Sequence, residues 1–485
     1  MEKGAINNDI KRKINNVILK CSDNQIYSSI IEEFFTKGID EPSVYLQSLG
    51  MPYLKKSELQ HNFKKNKEKL CSFLKSFIKE YKKDRIENEL NLYKVLSCIY
   101  GSFLGDAIGS FCEFHKPSEK NKNKIFKEDP VFKQLKGQAT DDSEMAMSFA
   151  YAVMESPEKE TLDGNYLYYF YGAWTKSKPI DIGYTVKDSY KKFDFYKHHP
   201  NHKKFQEAIS EFFSHNYKSL SNGFLMRKST FIAWIYYRFY YEVESSFNNI
   251  NDNTKLINLY EKIYELSSID NSCTHPNLET NAASSFYCIL ALGAISGLRA
   301  NNIIDKIYYL CKEKYFQNKG EEVKKVANFI INYIDKFKSL NFDYKNFTKP
   351  ENEDCVNKRI GWYVHAFKLT LYYLIQYEMI NEKKRFQTIM EEICNLGGDT
   401  DTNCCIVGAV IGPLDGFYHF GEYFEKMIDV IPRNRYLFSV CLMVPYVNFL
   451  KNSKSRDNND DYEHYFLKTI LTMLYDEIEI DYFAS

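Results

Sequence analysis

Residues 396–412 read Leu-Gly-Gly-Asp-Thr-Asp-Thr-Asn-Cys-Cys-Ile-Val-Gly-Ala-Val-Ile-Gly. Oxygen-bearing side chains crowd the first half and apolar ones fill the second. The pattern predicts a polar turn feeding an apolar helix over Cys404–Ile411. Gly397 and Gly398 admit turn conformations closed to residues that carry a Cβ. Asp399, Asp401 and Asn403 imitate the opening positions of a calcium-binding EF-hand loop. That assignment fails on two counts. The sixth position is Cys404, where the sharp turn needs Gly, and the twelfth is Val410, where a bidentate Glu belongs. The segment is an oxygen-rich turn of another kind, at the start of a helix.

Working outward, helical spacing dominates. Leu70, Phe73, Leu74, Phe77, Ile78 and Tyr81 recur on one helix face, and Leu371, Tyr372, Ile375 and Met379 on another. No stretch alternates as a strand does, and no Asn-Gly or Asp-Gly hairpin joins two alternating runs. The expected class is all-α. Three segments separate. Residues 1–95 form a Lys-rich helical extension, 96–450 carry nearly all the glycine motifs, and 451–485 hold a polar linker followed by an apolar helix near 466–474. Within the middle segment, the Lys- and Asn-rich stretches 116–136 and 312–358 read as surface insertions.

The 485 residues contain 64 Lys+Arg and 64 Asp+Glu, so net charge points to no wholesale nucleic-acid or membrane-surface role. Hydrophobic residues at 44% suffice for a large core. Twelve scattered cysteines include no C-x-x-C pair, which argues against a zinc ribbon and for free thiols in a reducing compartment. The start of the chain lacks the apolar run of a secretory signal. The longest apolar stretches, near 287–298 and 436–450, fall short of a membrane span. The expectation is a cytoplasmic protein, with the nucleus left open and no membrane partner.

A second acidic turn, Thr140-Asp141-Asp142-Ser143-Glu144, opens a helix whose apolar face is Met145, Phe149, Ala150 and Val153. Paired acids at a helix start serve ordinarily as caps and as partners of the helix dipole. Yet a cap needs one side chain, and three oxygen-bearing side chains at one turn suit a hard cation. Two such turns suggest one divalent site built from both. Oxygen donors without His or Cys favour Mg²⁺, Mn²⁺ or Ca²⁺ over Zn²⁺. Upstream, Gly101, Gly105 and Gly109 repeat every four residues on one helix face, the mark of close helix packing. Glu113 follows that helix, where a lone Glu is ordinarily solvated. Ser221-Asn222-Gly223 is a small-residue turn entering a helix, a place where free N–H groups bind phosphate. His275 precedes a helix through Ala282–Leu298, and a lone His there is ordinarily a satisfied structural residue. No G-x-x-x-x-G-K-[ST], strand-borne G-x-G-x-x-G, H-E-x-x-H or G-x-S-x-G occurs.

In order, GSFLGDAIGSFCEF, ATDDSEMA, SNGFLMR, THPNLET, GWYVHAFKLTLYYLI and LGGDTDTNCCIVGAVIG resemble the ADP-ribosylglycohydrolase family, which includes the dinitrogenase-reductase-activating glycohydrolases. The resemblance spans about residues 97–445. It implies a compact orthogonal multi-helix bundle, with two Mg²⁺ ions (Mn²⁺ as a substitute) held by Thr140, Asp141, Asp142, Asp399, Asp401 and Thr402. It implies further that Ser221, Asn222 and Gly223 hold a diphosphate and that His275 helps fix the ribose side. Glu113 would sit over the metals and share in catalysis with Asp141, Asp142, Asp399 and Asp401, as in the serine-directed branch that Gly-Ser-Phe-Cys-Glu-Phe-His leans toward. Ser143 stands where the family usually has Thr, and Pro413-Leu414-Asp415 interrupts a helix that is ordinarily rich in small residues.

The implied activity is removal of ADP-ribose from modified protein side chains by cutting the C1″ glycosidic bond, with ADP-ribosylated proteins or ADP-ribose conjugates as partners. The alternative is an inactive member that binds ADP-ribose or serves structurally. Such a member should have lost metal carboxylates, and all four aspartates are present. A two-metal phosphoesterase is a further rival; it would release AMP. Residues 54–85 carry eleven Lys or Arg against four Asp or Glu, so the extension is expected to contact a polyanion or to pack as a solvated amphipathic helix.

Overall fold

The computed structural model describes residues 90–450, apart from 128–130, 132–135, 157–160, 177–178, 180, 195–199, 201–215, 249–252, 340–341, 381–383, 422, 425, 428–445 and 448–449. The Leu70–Tyr81 helix face, the basic stretch 54–85 and the C-terminal helix near 466–474 lie outside the described residues.

Eleven helices longer than ten residues are formed among them. They are α1 (Leu90–Gly109), α2 (Asp141–Glu155), α3 (Gly164–Lys176), α4 (Lys228–Arg238), α5 (Thr254–Ser272), α6 (Leu278–Ile295), α7 (Ala300–Lys312), α8 (Glu321–Lys338), α9 (Tyr363–Gln376), α10 (Arg385–Leu396) and α11 (Thr400–Asp415). No strand occurs among the described residues; one isolated antiparallel bridge joins Ser221 to Trp362. The protein is an all-α bundle, as the spacing of its apolar residues predicts.

The axis of the bundle is the pair α1 and α11. A Cβ added at Gly101 would lie 2.4 Å from Gly408 O, at Gly105 2.2 Å from Cys404 O, and at Gly109 2.3 Å from Thr400 O. The glycines recur every four residues so that two backbones can touch. Thr400 Oγ1 closes the contact by donating to Gly109 O at 2.6 Å. Helix α6 threads the centre, buried from Glu279 to Ile295. By length and apolarity it would suffice to cross a membrane, but 94% of it is covered inside the fold. Tyr287 OH ties it to α11 through Ile406 O at 2.8 Å, and Thr230 Oγ1 ties α4 to α2 through Ala146 O at 2.6 Å.

Four expectations change. Stretch 312–358 is more than a surface insertion: α8 buries Val323, Val326, Ala327, Ile330, Ile334 and Phe337, and Asp354, Cys355 and Val356 are buried beyond it. Its lysines and asparagines mark only the outer face of an amphipathic helix. Stretch 116–136 likewise buries Asn121, Ile125 and Phe126. The face through Leu371 ends early, because α9 stops at Gln376 and Met379 is 81% exposed. Pro413 does not interrupt α11, which runs on to Asp415. That acid is buried and accepts Tyr377 OH at 2.7 Å and Phe386 N–H at 2.7 Å, holding the final turn.

Candidate metal centre

Helix α2 starts at Asp141, but its Thr140 side chain makes no cap. The cap comes from α1. Asp106 accepts Thr140 N–H and Ser143 N–H, at 2.9 and 3.1 Å, together with the Thr140 and Ser143 hydroxyls at 2.8 and 2.5 Å. The capping role expected of Thr-Asp-Asp therefore belongs to a residue 34 positions upstream. Asp141 and Asp142 are spared that role. Burial pushes the Asp106 carboxyl up to about 6 even against these hydrogen bonds.

Helix α11 is built the same way. Asp399 stands at its N-cap without a side-chain cap bond; its carboxylate instead accepts Asn222 Nδ2–H at 2.6 Å. Gly397 and Gly398 turn at φ 69° and 79°, both left-handed. Their backbone pairs with the loop after α1: Phe114 N–H donates to Gly398 O at 2.8 Å, and Gly398 N–H to His115 O at 3.2 Å. A Cβ at Gly397 would lie 2.2 Å from His115 O. This pairing delivers Glu113 to the aspartates. The solvated helix end expected of a lone Glu is not found, since Glu113 is 2% exposed.

Two trios of carboxylates result. Glu113, Asp399 and Asp401 bring one oxygen each within 4.8 Å of one another, as do Asp141, Asp142 and Asp401. Asp401 belongs to both. All five are buried, and no Lys or Arg among the described residues pairs with them. Glu113 Oε2 and Asp142 Oδ1 have no hydrogen-bond partner. Burial and then repulsion from Asp401 and Asp399 push the Glu113 carboxyl far above the carboxylate range. Burial with neighbouring acids does the same at Asp141, Asp142 and Asp401. A nest of buried acids with bare oxygens is what a hard cation requires, and the residues fit one. Thr140 Oγ1, 3.2 Å from Asp142 Oδ2, and Thr402, whose N–H reaches Asp401 Oδ1 at 2.7 Å, stand beside the acids.

The Ser221-Asn222-Gly223 turn meets the same cluster. Besides the Asn222–Asp399 bond, Asn222 N–H donates to Gly361 O at 2.8 Å. Ser221 Oγ lies 2.7 Å from His275 Nε2, and His275 Nδ1 lies 2.9 Å from Thr274 Oγ1. Burial, then the charge of Arg227, lowers the His275 pKa well below its usual value, so the ring is neutral. His275 is fully buried with both nitrogens satisfied, one of them by Ser221.

Two acids escaped the sequence reading. Asp106 sits in the glycine-rich stretch of α1, and a charge there signals burial with partners. Asp181, half-buried, raises the carboxyls of Asp141 and Glu113 by proximity; its surroundings, Pro-Ile-Asp-Ile-Gly, give no such signal.

The ADP-ribosylglycohydrolase family model matches residues 88–428. The chain belongs to the ADP-ribosylglycohydrolase family. Its match takes in every acid of the two trios. A protein of Acanthamoeba polyphaga mimivirus, assigned by its name to the ADP-ribosyl glycohydrolases, is 26% identical over 340 residues, covering 67% of this chain and 88% of that protein. A solved structure described as an ADP-ribosylglycohydrolase-related protein complex aligns with 75% of this chain and 99% of its own, at 15% identity and a TM-score of 0.49. For this ADP-ribosylglycohydrolase family member, a glycohydrolase acting on ADP-ribosylated substrates is the supported class, with acidic clusters able to hold metal.

Proposed function

We propose that the protein hydrolyses the C1″ bond between ADP-ribose and a modified protein side chain, using two divalent ions, Mg²⁺ or Mn²⁺. The observation that carries this reading is the pair of carboxylate trios sharing Asp401. One trio would hold one ion and the second trio the other, with the Thr140 and Thr402 hydroxyls completing the donor set. Bound there, such ions polarise sugar hydroxyls and lower the pKa of a water.

The chain's own groups do the rest. Asn222 fixes the Asp399 carboxylate by its 2.6 Å bond, and the Ser221–Gly223 turn receives the diphosphate. Asp141, Asp142, Asp399 or Asp401 takes a proton from the attacking water. Glu113, beside Asp399 and Asp401, delivers one to the departing heteroatom. Burial excludes competing water from these oxygens and strengthens each contact.

The test uses peptides carrying ADP-ribose on a defined Ser or Arg. Release of intact ADP-ribose, lost in EDTA and restored by Mg²⁺ or Mn²⁺, is expected. Release of AMP would indicate attack at phosphorus instead. Full turnover in EDTA, or rescue by Zn²⁺ alone, would overturn the metal assignment. The two peptides decide whether the serine-directed lean of the Glu113 segment holds.

A further inference from the structure

Arg227 ends the Ser221–Arg227 motif, and its charge beside His275 does not account for its geometry. It is fully buried. A buried charge is a poor device for stability alone, since apolar side chains of similar volume often do as well. A guanidinium offers direction instead: five N–H groups in one rigid plane.

That plane spans two segments of the site. Arg227 Nη1 donates to Gly223 O at 3.0 Å, inside the Asn222 turn. Nη2 donates to Asp270 O at 3.0 Å, in the last turn of α5, and Nε to the Asp270 carboxylate at 3.3 Å. The next carbonyl along, Asn271 O, accepts His275 N–H at 2.6 Å. One side chain thus grips the turn that bears Ser221 and Asn222 and the helix end that hangs the His275 loop.

Asp270 is itself immobilised. Lys228 Nζ and Tyr171 OH reach its carboxylate at 2.5 and 2.6 Å, and the Tyr171 ring lies 4.7 Å beneath the guanidinium. Burial would raise the Asp270 carboxyl, but Arg227 and then Lys228 outweigh it and hold it at about 2. The two gripped segments meet closely. A Cβ at Gly223 would lie 3.2 Å from His275 Cε1, and Ser221 Oγ lies 2.7 Å from His275 Nε2.

We propose that Arg227, acting through Asp270, is a positioning residue that sets the spacing of the Ser221–Gly223 turn against the His275 loop and so shapes the substrate-holding side of the site. The proposal rests on the reading that this turn binds the ADP-ribosyl group.

Full-length Arg227→Lys with Mg²⁺ tests it. Lysine keeps the charge beside Asp270 but cannot bridge both carbonyls. With helical circular dichroism retained, KM for the ADP-ribosyl peptide and Kd for ADP-ribose should both rise about tenfold while kcat changes little, as losing a charge-assisted hydrogen bond implies. A merely structural Arg227 would lower Tm and leave KM and Kd unchanged, and that result overturns the proposal. Should Arg227→Lys fail to fold, Tyr171→Phe decides. It removes one bond to Asp270 and should raise KM roughly twofold to threefold at constant kcat, the loss of a single modest hydrogen bond; an unchanged KM overturns the proposal. Wild-type protein that neither binds ADP-ribose nor releases it from peptides would bring down the functional reading, and the proposal with it. Wild-type binding matched by Arg227→Lys brings down the proposal alone.

Discussion

Asp401 is the residue on which both trios converge, so its substitution separates metal chemistry from folding. Asp401→Asn keeps the shape and keeps an oxygen for Thr402 N–H, now 2.7 Å away. It removes one charge from a buried, mutually repelling set. Turnover should fall by a factor on the order of a hundred or more, as for loss of a key electrostatic group. In EDTA the variant should melt at or above the wild-type Tm, because repulsion is relieved. In Mg²⁺ only the wild type should gain stability. Thermal unfolding in both buffers, set beside turnover, checks this; a wild-type-like Mg²⁺ shift in the variant would refute the shared ligand. Asp106 has the opposite character. It accepts from two N–H groups and two hydroxyls at once. In Asp106→Asn an oxygen at the Oδ2 place keeps both backbone N–H partners, but an N–H₂ replaces Oδ1 beside the Thr140 hydroxyl and the charge of the acceptor is lost, a cost of roughly 1–3 kcal/mol. Chemical denaturation should show that loss with or without metal.

Helices α1 and α11 meet backbone to backbone, and this contact is where sequence and structure agree most closely. The four-residue repeat of Gly101, Gly105 and Gly109 was legible as a packing face because only glycine permits such an approach. The polar turns of Thr140–Asp142 and Asp399–Thr402 were legible as acidic clusters that could hold a metal because more oxygens stand there than a cap can use. What escaped was long-range pairing. Asp106 caps a helix 34 residues on, and Glu113 is buried by the Gly397–Gly398 turn. No local pattern encodes either partnership. The amphipathic face of α8 was hidden by the lysines and asparagines of its outer side. Element packing also separates two substitutions of equal size. Gly101→Ala and Gly109→Ala each force a Cβ to within 2.4 Å and 2.3 Å of a backbone oxygen. Each should cost about 1–3 kcal/mol as an overpacked contact. Gly101 faces Gly408, two turns along α11 from the acids, whereas Gly109 faces Thr400 and Asp401. Folded Gly101→Ala should keep most of its turnover and folded Gly109→Ala should lose most of it. Equal losses of activity would show that the α1–α11 contact does not set the acidic turn.

The whole molecule closes an apolar bundle around a nest of acids, and its stability should report that conflict through pH. Burial and mutual repulsion raise the carboxyls of Glu113, Asp141, Asp142 and Asp401 above their usual range. Without metal, the folded state then keeps protons that the unfolded chain has released above about pH 4. The side that binds more protons is weakened as pH rises, so the metal-free fold loses stability upward from there until each folded-state pKa is passed. Asp106, at about 6, completes its share soon after pH 6. His275 acts in the other direction, since its lowered pKa favours the folded state as pH rises, but that effect ends near its unfolded value of about 6.5. The buried thiols enter only above about pH 8, where unfolded cysteines begin to ionise. Lys368, lowered to about 8 by burial, acts against this trend at the top of the interval, where its folded form begins to lose a proton that the unfolded chain keeps. It is one group against four raised carboxyls, so between pH 7 and 8 the acidic nest sets the sign of the slope. A divalent ion supplies the positive charge that the protons otherwise provide, and a ligand bound only by the folded state stabilises it in proportion to the logarithm of its occupancy ratio. The expected result is a Tm that falls from pH 7 to pH 8 in EDTA, a higher and flatter Tm in Mg²⁺, and a Mg²⁺-induced shift that grows with pH. Scanning calorimetry in the two buffers across that interval measures it. A Mg²⁺ shift that is absent, or that shrinks as pH rises, would mean that the buried carboxylates do not share their protons with a metal.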